Sequence, residues 1–345
     1  MRTTHFKFAG SARPVVRSNG GGRSGFTIVE LLTVISIIGL LMALLLPAIQ
    51  ASRESGRRMT CQNHLRQLAL AMLEHEESLR RFPTGGWGGH WVTDPARGSG
   101  MRQPGGWVHS LLPYLQRSDL HGAGRDLTGA EKRAAITRLV QSPVTVFNCP
   151  SRRDARLYSI TFVPAQTPVD ANYLTLAARS DYAANAGDQE RCEITAYGGP
   201  LTLEEGDDPA FPWPDVADHT GIVYLRSQTQ MAHVRDGKAS TYLLAEKHIP
   251  PTDWYSGIDH GDDWSMYTGY QDDICRTTYY PPIRDDHGLG GSVPECRFGS
   301  AHPGGFNAAF CDGSVRNVAY EIDAEVHRLL GNRADNEIVD VSDLP

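Results

Sequence analysis

Gly25-Phe26-Thr27-Ile28-Val29-Glu30 opens an apolar run that continues through residues 31–46, and Glu30 is the one charged residue between positions 26 and 46. As a helix rising ~1.5 Å per residue, the 21 residues from 26 to 46 reach about 31 Å, enough to cross a bilayer's hydrocarbon. A lone carboxylate inside such a run is costly in lipid and is usually paired or functional. Upstream stand Arg2, Lys7, Arg13, Arg17 and Arg23, with no acid among residues 1–25. That asymmetry holds the N-terminus in the cytoplasm and sends everything after residue 46 across the membrane.

A basic leader ending in Gly25, then Phe26, Glu30, and Pro47 closing the apolar run, resembles a prepilin-type N-terminus. The resemblance implies that a prepilin peptidase cuts between Gly25 and Phe26 and N-methylates Phe26. The apolar helix would stay on the mature chain as membrane anchor and as assembly surface for other pilin-like subunits, with Glu30 meeting a neighbour's terminal amine. In lipid an ammonium and a carboxylate neutralise one another. Two plainer readings compete. A secretory signal has a shorter apolar core and a small-residue cleavage site after it, a part residues 48–51 can be forced into. A simple anchor has no use for Glu30.

Removing the leader takes five basic residues and no acid from a chain of net charge −7, leaving −12. An acidic exported domain is poorly suited to nucleic acid, which needs basic patches to displace counterions. With 35 glycines and 21 prolines the chain promises many turns. Its six cysteines form no CxxC pair, and export permits disulfides. Cys61–Cys149 and Cys275–Cys296 are the expected pairs. Cys311, inside an apolar strand, is expected as a buried free thiol.

Leu65, Leu68, Ala69, Met72, Leu73 and Leu79 recur at helical spacing. One helix is therefore expected over residues 26–81, with 26–46 in the membrane and an exported second half whose stripe needs a partner. Residues 82–331 form the expected globular domain and 332–345 an acidic tail that frays. Within the domain, residues 85–106 read as a glycine-rich loop. Thr128-Gly129-Ala130-Glu131 has capping-box spacing for a helix to about residue 140. Residues 144–147, 222–225 and 241–245 read as strands, and Asp236-Gly237 and Asp312-Gly313 as turns. The fold class is α+β, a long N-terminal spine helix packed on a mainly antiparallel sheet, as in pilins.

Further motifs extend the resemblance. Cys61-Gln62-Asn63-His64-Leu65, Leu111-Leu112-Pro113-Tyr114, Phe147-Asn148-Cys149-Pro150-Ser151, Ser180-Asp181-Tyr182-Ala183-Ala184-Asn185 and Asp236-Gly237 follow in order. Together they look like a large bacterial family of prepilin-type proteins whose C-terminal domain has no assigned function. That family ends in a His-x9-Asp-Gly motif, matched by His302, Asp312 and Gly313. His64 departs from it, standing where the family commonly has a second asparagine.

Asp259, Asp262, Asp263, Asp272 and Asp273, followed by Asp285-Asp286-His287, are the dense ligand-like stretch. Hard oxygen donors on loops suit Ca²⁺, although charge runs usually need no ion, and no other cofactor is expected. No HExxH and no GxSxG frame occurs, so catalysis is not expected. His302 and Asp312 flank a strand-length segment of about 20 Å, too far for proton transfer. They read as turn chemistry, with His302 orienting the approach to the hairpin. The expected function is a single-pass subunit of the inner membrane, its domain periplasmic or extracellular, assembled into a secretion or pilus-like filament. The rivals are an anchored binding module using Trp87, Trp91 and Trp107 and, more weakly, an envelope hydrolase.

Overall fold

The computed structural model describes residues 25–160, 170–193, 199–286, 296–337 and 339. Apart from Gly25 the expected leader lies outside the described residues, as do His287 and half of the expected acidic tail. The chain divides into two compact units, Met1–Ser52 and Arg53–Pro345.

Helix α1 (Ile28–Leu79) runs through Pro47. Its start is fixed by a reciprocal cap. The Thr27 amide donates to Glu30 Oε2 (2.9 Å) and the Glu30 amide donates to Thr27 Oγ1 (3.2 Å), so two amides with no helical partner are satisfied. All described residues of the first unit are exposed, and α1 is long and apolar enough to cross a membrane.

In the second unit α1 buries Cys61, Leu65, Leu68, Ala69 and Met72, the helical stripe legible in the sequence. It stops where Arg80 takes a left-handed φ of 56°. The stripe packs on a five-stranded sheet of order β5-β3-β4-β8-β9. Its members are β3 (Tyr182–Gly187), β4 (Tyr242–Glu246), β5 (Cys275–Thr277), β8 (Phe306–Phe310) and β9 (Val315–Val318). Only the β3–β5 pair is parallel, so the α+β architecture with a mainly antiparallel sheet is as expected. Two small pairs accompany it, β1 (Leu157–Ser159) with β2 (Leu176–Ala178), and β6 (Ile283–Arg284) with β7 (Gly299–Ser300). Short helices α2 (Trp107–Leu111), α3 (Ser118–His121), α4 (Gly129–Val140), α5 (Leu203–Asp207) and α6 (Ala324–Gly331) complete the unit.

Strand β8 shows why both faces are covered. Phe306, Ala308 and Phe310 join one apolar cluster with Tyr242, Phe298 and Leu330, while Ala309 and the following Cys311 join the α1 cluster. Alternation at period two sends successive side chains to opposite faces. Asp312-Gly313 closes β8 onto β9 as expected, with Gly313 at φ 83°.

Several local expectations are corrected. Residues 144–147 include a 3₁₀ turn, Thr145–Phe147, not a strand. Residues 222–225 form no strand, because β4 and β5 occupy both sides of β3. The Ile222 and Val223 amides both donate to the Asn185 carbonyl, where the β3–β5 register slips. Thr128 precedes α4 without a side-chain cap. Asp236-Gly237 makes no hairpin. Gly237, at φ 106°, leads into a 3₁₀ turn, and buried Asp236 accepts the Asp335 and Asn336 amides. That contact ties down the start of the segment expected to fray.

Candidate functional site

The sheet face beneath α1 brings four donor side chains together. Cys61 lies on α1, Cys149 follows the 3₁₀ turn, Glu246 ends β4, and His302 follows β7. One ligand atom from each falls within 4.8 Å of all the others, and all four residues are buried. The two sulfurs stand 2.7 Å apart and unbonded. His302 Nε2 is 3.6 Å from Cys149 Sγ and 3.2 Å from Glu246 Oε1. On the other side of the ring, Nδ1 is 2.6 Å from Glu54 Oε1. Glu54 lies seven residues before Cys61, two turns earlier on the same face of α1.

Each member is held in place by its neighbours. Asn307 donates its backbone and side-chain N–H groups to Glu246 Oε2 (2.7 and 3.0 Å), leaving Oε1 to face the His302 ring. Asn307 in turn accepts from Gln62 of α1. Tyr182, paired directly opposite Glu246 in the sheet, has a buried hydroxyl without a hydrogen-bond partner. The Cys149 amide donates to Asp181 Oδ2 (2.7 Å). Glu54 also receives Ser151 Oγ (2.9 Å) and Arg57 (2.7 Å). The recurring sequence motifs therefore meet here, because Cys61, Cys149, Asp181, Tyr182 and His302 belong to four of them.

Burial alone would depress His302, but the charge of Glu246, reinforced by Cys149, pushes it up to about 11. Burial would raise Glu246, yet His302 holds it below the usual carboxylate range. Burial pushes the Cys149 thiol well up. Without a metal the site is thus an imidazolium between two carboxylates, beside an un-ionised Cys149 thiol. These donors, two sulfurs, an imidazole nitrogen and a carboxylate oxygen, form the set suited to a zinc-class cation.

The other expected site residues are placed differently. His302 does not orient the hairpin approach. Its ring enters the buried cluster, while Asp312 receives the Ser314 amide at the turn. Cys296 is bonded to Cys192, replacing the expected partner Cys275. Cys275 and Cys311 are buried free thiols. Cys61 and Cys149 are adjacent as expected, but they are not bonded.

Within the acidic stretch, Asp262 is committed to ion pairs inside the fold. Asp262 pairs with Arg153, Arg179 (3.1 Å) and Lys247 (2.9 Å), and those cations hold it far below its usual range despite burial. Asp273 accepts the Trp264 amide and the Gln271 side chain. Burial pushes Asp259 and Asp263 up, with Asp273 and Asp272 reinforcing it at Asp263. Asp272 is buried like Asp262 and Asp273, whereas Asp259 and Asp263 are half-buried. The sequence listed the acids together and gave no sign that Arg153 and Arg179 reach them from afar. Trp87, Trp91 and Trp107 are buried, and their indole N–H groups donate to the Met101, Pro200 and Ile274 carbonyls. They are core and not a binding face.

Gly25 and Phe26 lie exposed just before α1, with Glu30 in its first turn and Pro47 inside it. Glu54 and Glu246 were missed by sequence reasoning. The seven-residue interval from Glu54 to Cys61 was the available signal, whereas Glu246 had none.

No curated protein and no solved structure matches the chain. A family model described as "Protein of unknown function (DUF1559)" matches residues 50–325. That span takes in the second half of α1 and every strand among the described residues, so the chain is a member of this family, DUF1559.

Proposed function

We propose that the protein is a membrane-anchored, pilin-like structural subunit. In this reading prepilin peptidase removes the leader after Gly25 and methylates Phe26. Residues 26–46 anchor the subunit in the inner membrane, with the N-terminus cytoplasmic and the domain on the far side. Glu30 then joins it to a neighbouring subunit of a secretion or pilus-like assembly. The observation that carries the reading is a wholly exposed, bilayer-length apolar helix interrupted only by Glu30. The family match, typical of pilin-like prepilin-type proteins, is consistent with this reading. The domain's work in this reading is structural, not catalytic.

Intact-mass and N-terminal analysis of the membrane-extracted protein tests it. A methylated Phe26 terminus is expected. A terminus near Ala51, or a chain still starting at Met1, sinks the proposal.

A further inference from the structure

We propose that Cys61, Cys149, Glu246 and His302 form a closed, structural site for a zinc-class divalent cation, with Glu54 as the outer carboxylate that orients His302.

Three observations converge. The first is geometric. A tetrahedral zinc with bonds of about 2.0–2.1 Å to nitrogen, 2.0–2.2 Å to oxygen and 2.3 Å to sulfur has N–O edges of about 3.3 Å and N–S edges of about 3.6 Å. His302 Nε2 stands 3.2 Å from Glu246 Oε1 and 3.6 Å from Cys149 Sγ, so both edges from the imidazole already have the required length. The sulfurs, 2.7 Å apart, must open to an edge of about 3.8 Å, a rotation at one cysteine side chain.

The second observation is the support behind the ring. A metal-bound histidine characteristically gives its other N–H to a carboxylate, which fixes the tautomer and aims the lone pair. Glu54 Oε1, 2.6 Å from Nδ1, occupies that place and is itself held by Arg57 and Ser151.

The third is how the carboxylate is aimed. Glu246 is wholly buried, Asn307 saturates Oε2, and Oε1 turns into the cluster, where the His302 ring faces it at 3.2 Å. A cation there would replace the imidazolium proton as the counter-charge of Oε1.

All four ligands are protein groups with no exposed surface. The coordination sphere is closed, as in structural sites and not catalytic ones. Both sulfurs bind as thiolates and the imidazole as the neutral base, so loading releases their protons to solvent. The ion would clamp the spine helix to the sheet through residues as distant as 61 and 302. The inference is independent of filament assembly, since an anchored monomer would carry the same site.

The test uses the full-length protein in detergent, purified under reducing conditions without chelator. One zinc per chain is expected by elemental analysis. Replacement by Co²⁺ should give a thiolate-to-cobalt charge-transfer band. Glu54→Gln keeps every ligand and should weaken affinity by about 10–100-fold at unchanged stoichiometry. Folded, reduced protein that takes up neither zinc nor cobalt overturns the proposal. So does a cobalt band that survives in the double variant Cys61→Ser/Cys149→Ser. A Cys61–Cys149 disulfide in protein isolated from its membrane and mapped without reductant also overturns it, because the bond consumes both sulfur ligands.

Discussion

Glu54 Oε1 and His302 Nδ1 stand 2.6 Å apart across 248 residues of sequence, which fastens the second half of α1 to the segment leading into β8. His302 thereby belongs to the joint between helix and sheet and not to the hairpin it precedes.

The first prediction concerns that joint in the metal-stripped protein. His302→Ala should cost about 3–5 kcal/mol, because it leaves the buried Glu246 charge without its partner. His302 titrates up at about 11, above the ~6.5 of an unfolded histidine. Its contribution is therefore whole below about 6.5 and drains away as pH climbs through 11. Glu54 and Glu246 are held below their usual range, so their contribution is whole above about 4.5 and fades as pH falls. Denaturant titrations of wild type and His302→Gln should differ most at about pH 5–6 and converge toward pH 10. A pH-independent difference would refute the charged joint.

Glu30 offers a second test, because it has two separable jobs. Its hydrogen bonds with Thr27 cap α1, which is worth about 1 kcal/mol. If capping were its whole role, Thr27→Ala should reproduce the phenotype of Glu30→Leu. We expect Glu30→Leu to insert normally yet fail to crosslink into assemblies, while Thr27→Ala still incorporates. Equal incorporation by both variants counts against the assembly role.

Gly313 provides a third. Its φ of 83° suits glycine, and an added Cβ would stand 3.1 Å from Leu73 Cδ1. Gly313→Val should lower the denaturation midpoint by an amount equivalent to about 2 kcal/mol or more, combining left-handed strain with crowding against α1. His302→Ala should be at least as damaging, because it takes the partner from the buried Glu246 charge. Paired thermal melts decide the order.

Cysteine mapping supplies the fourth. The Cys192–Cys296 bond spans 104 residues, and its loss should cost about 2–5 kcal/mol. Peptide maps without reductant should recover that pair, with Cys275 and Cys311 alkylated only after denaturation. A Cys275–Cys296 peptide would contradict the fold around β5.

A fifth prediction separates ion pairing from calcium binding. Asp262→Asn leaves Arg153, Arg179 and Lys247 short of a buried counter-charge and should cost about 3–5 kcal/mol. Added Ca²⁺ should leave the wild-type midpoint unmoved. A calcium-dependent rise that is lost in Asp262→Asn would restore the acidic loop as a cation site.

The sequence by itself determined what depends on near neighbours. The uninterrupted apolar run and the stripe from Leu65 to Met72 set α1, alternation set β8, and Asp312-Gly313 set its turn. Each rests on helical or strand periodicity, or on the φ that glycine tolerates. The tertiary structure alone decided partners. Which cysteine meets Cys296, where His302 points, and which arginines neutralise Asp262 depend on contacts made across roughly 83 to 248 residues. Residue spacing carries no record of such contacts. Glu246 shows the difference most plainly, since nothing local marks it. It becomes a candidate ligand only because β4 ends beneath α1, opposite Tyr182 and beside the ring of His302.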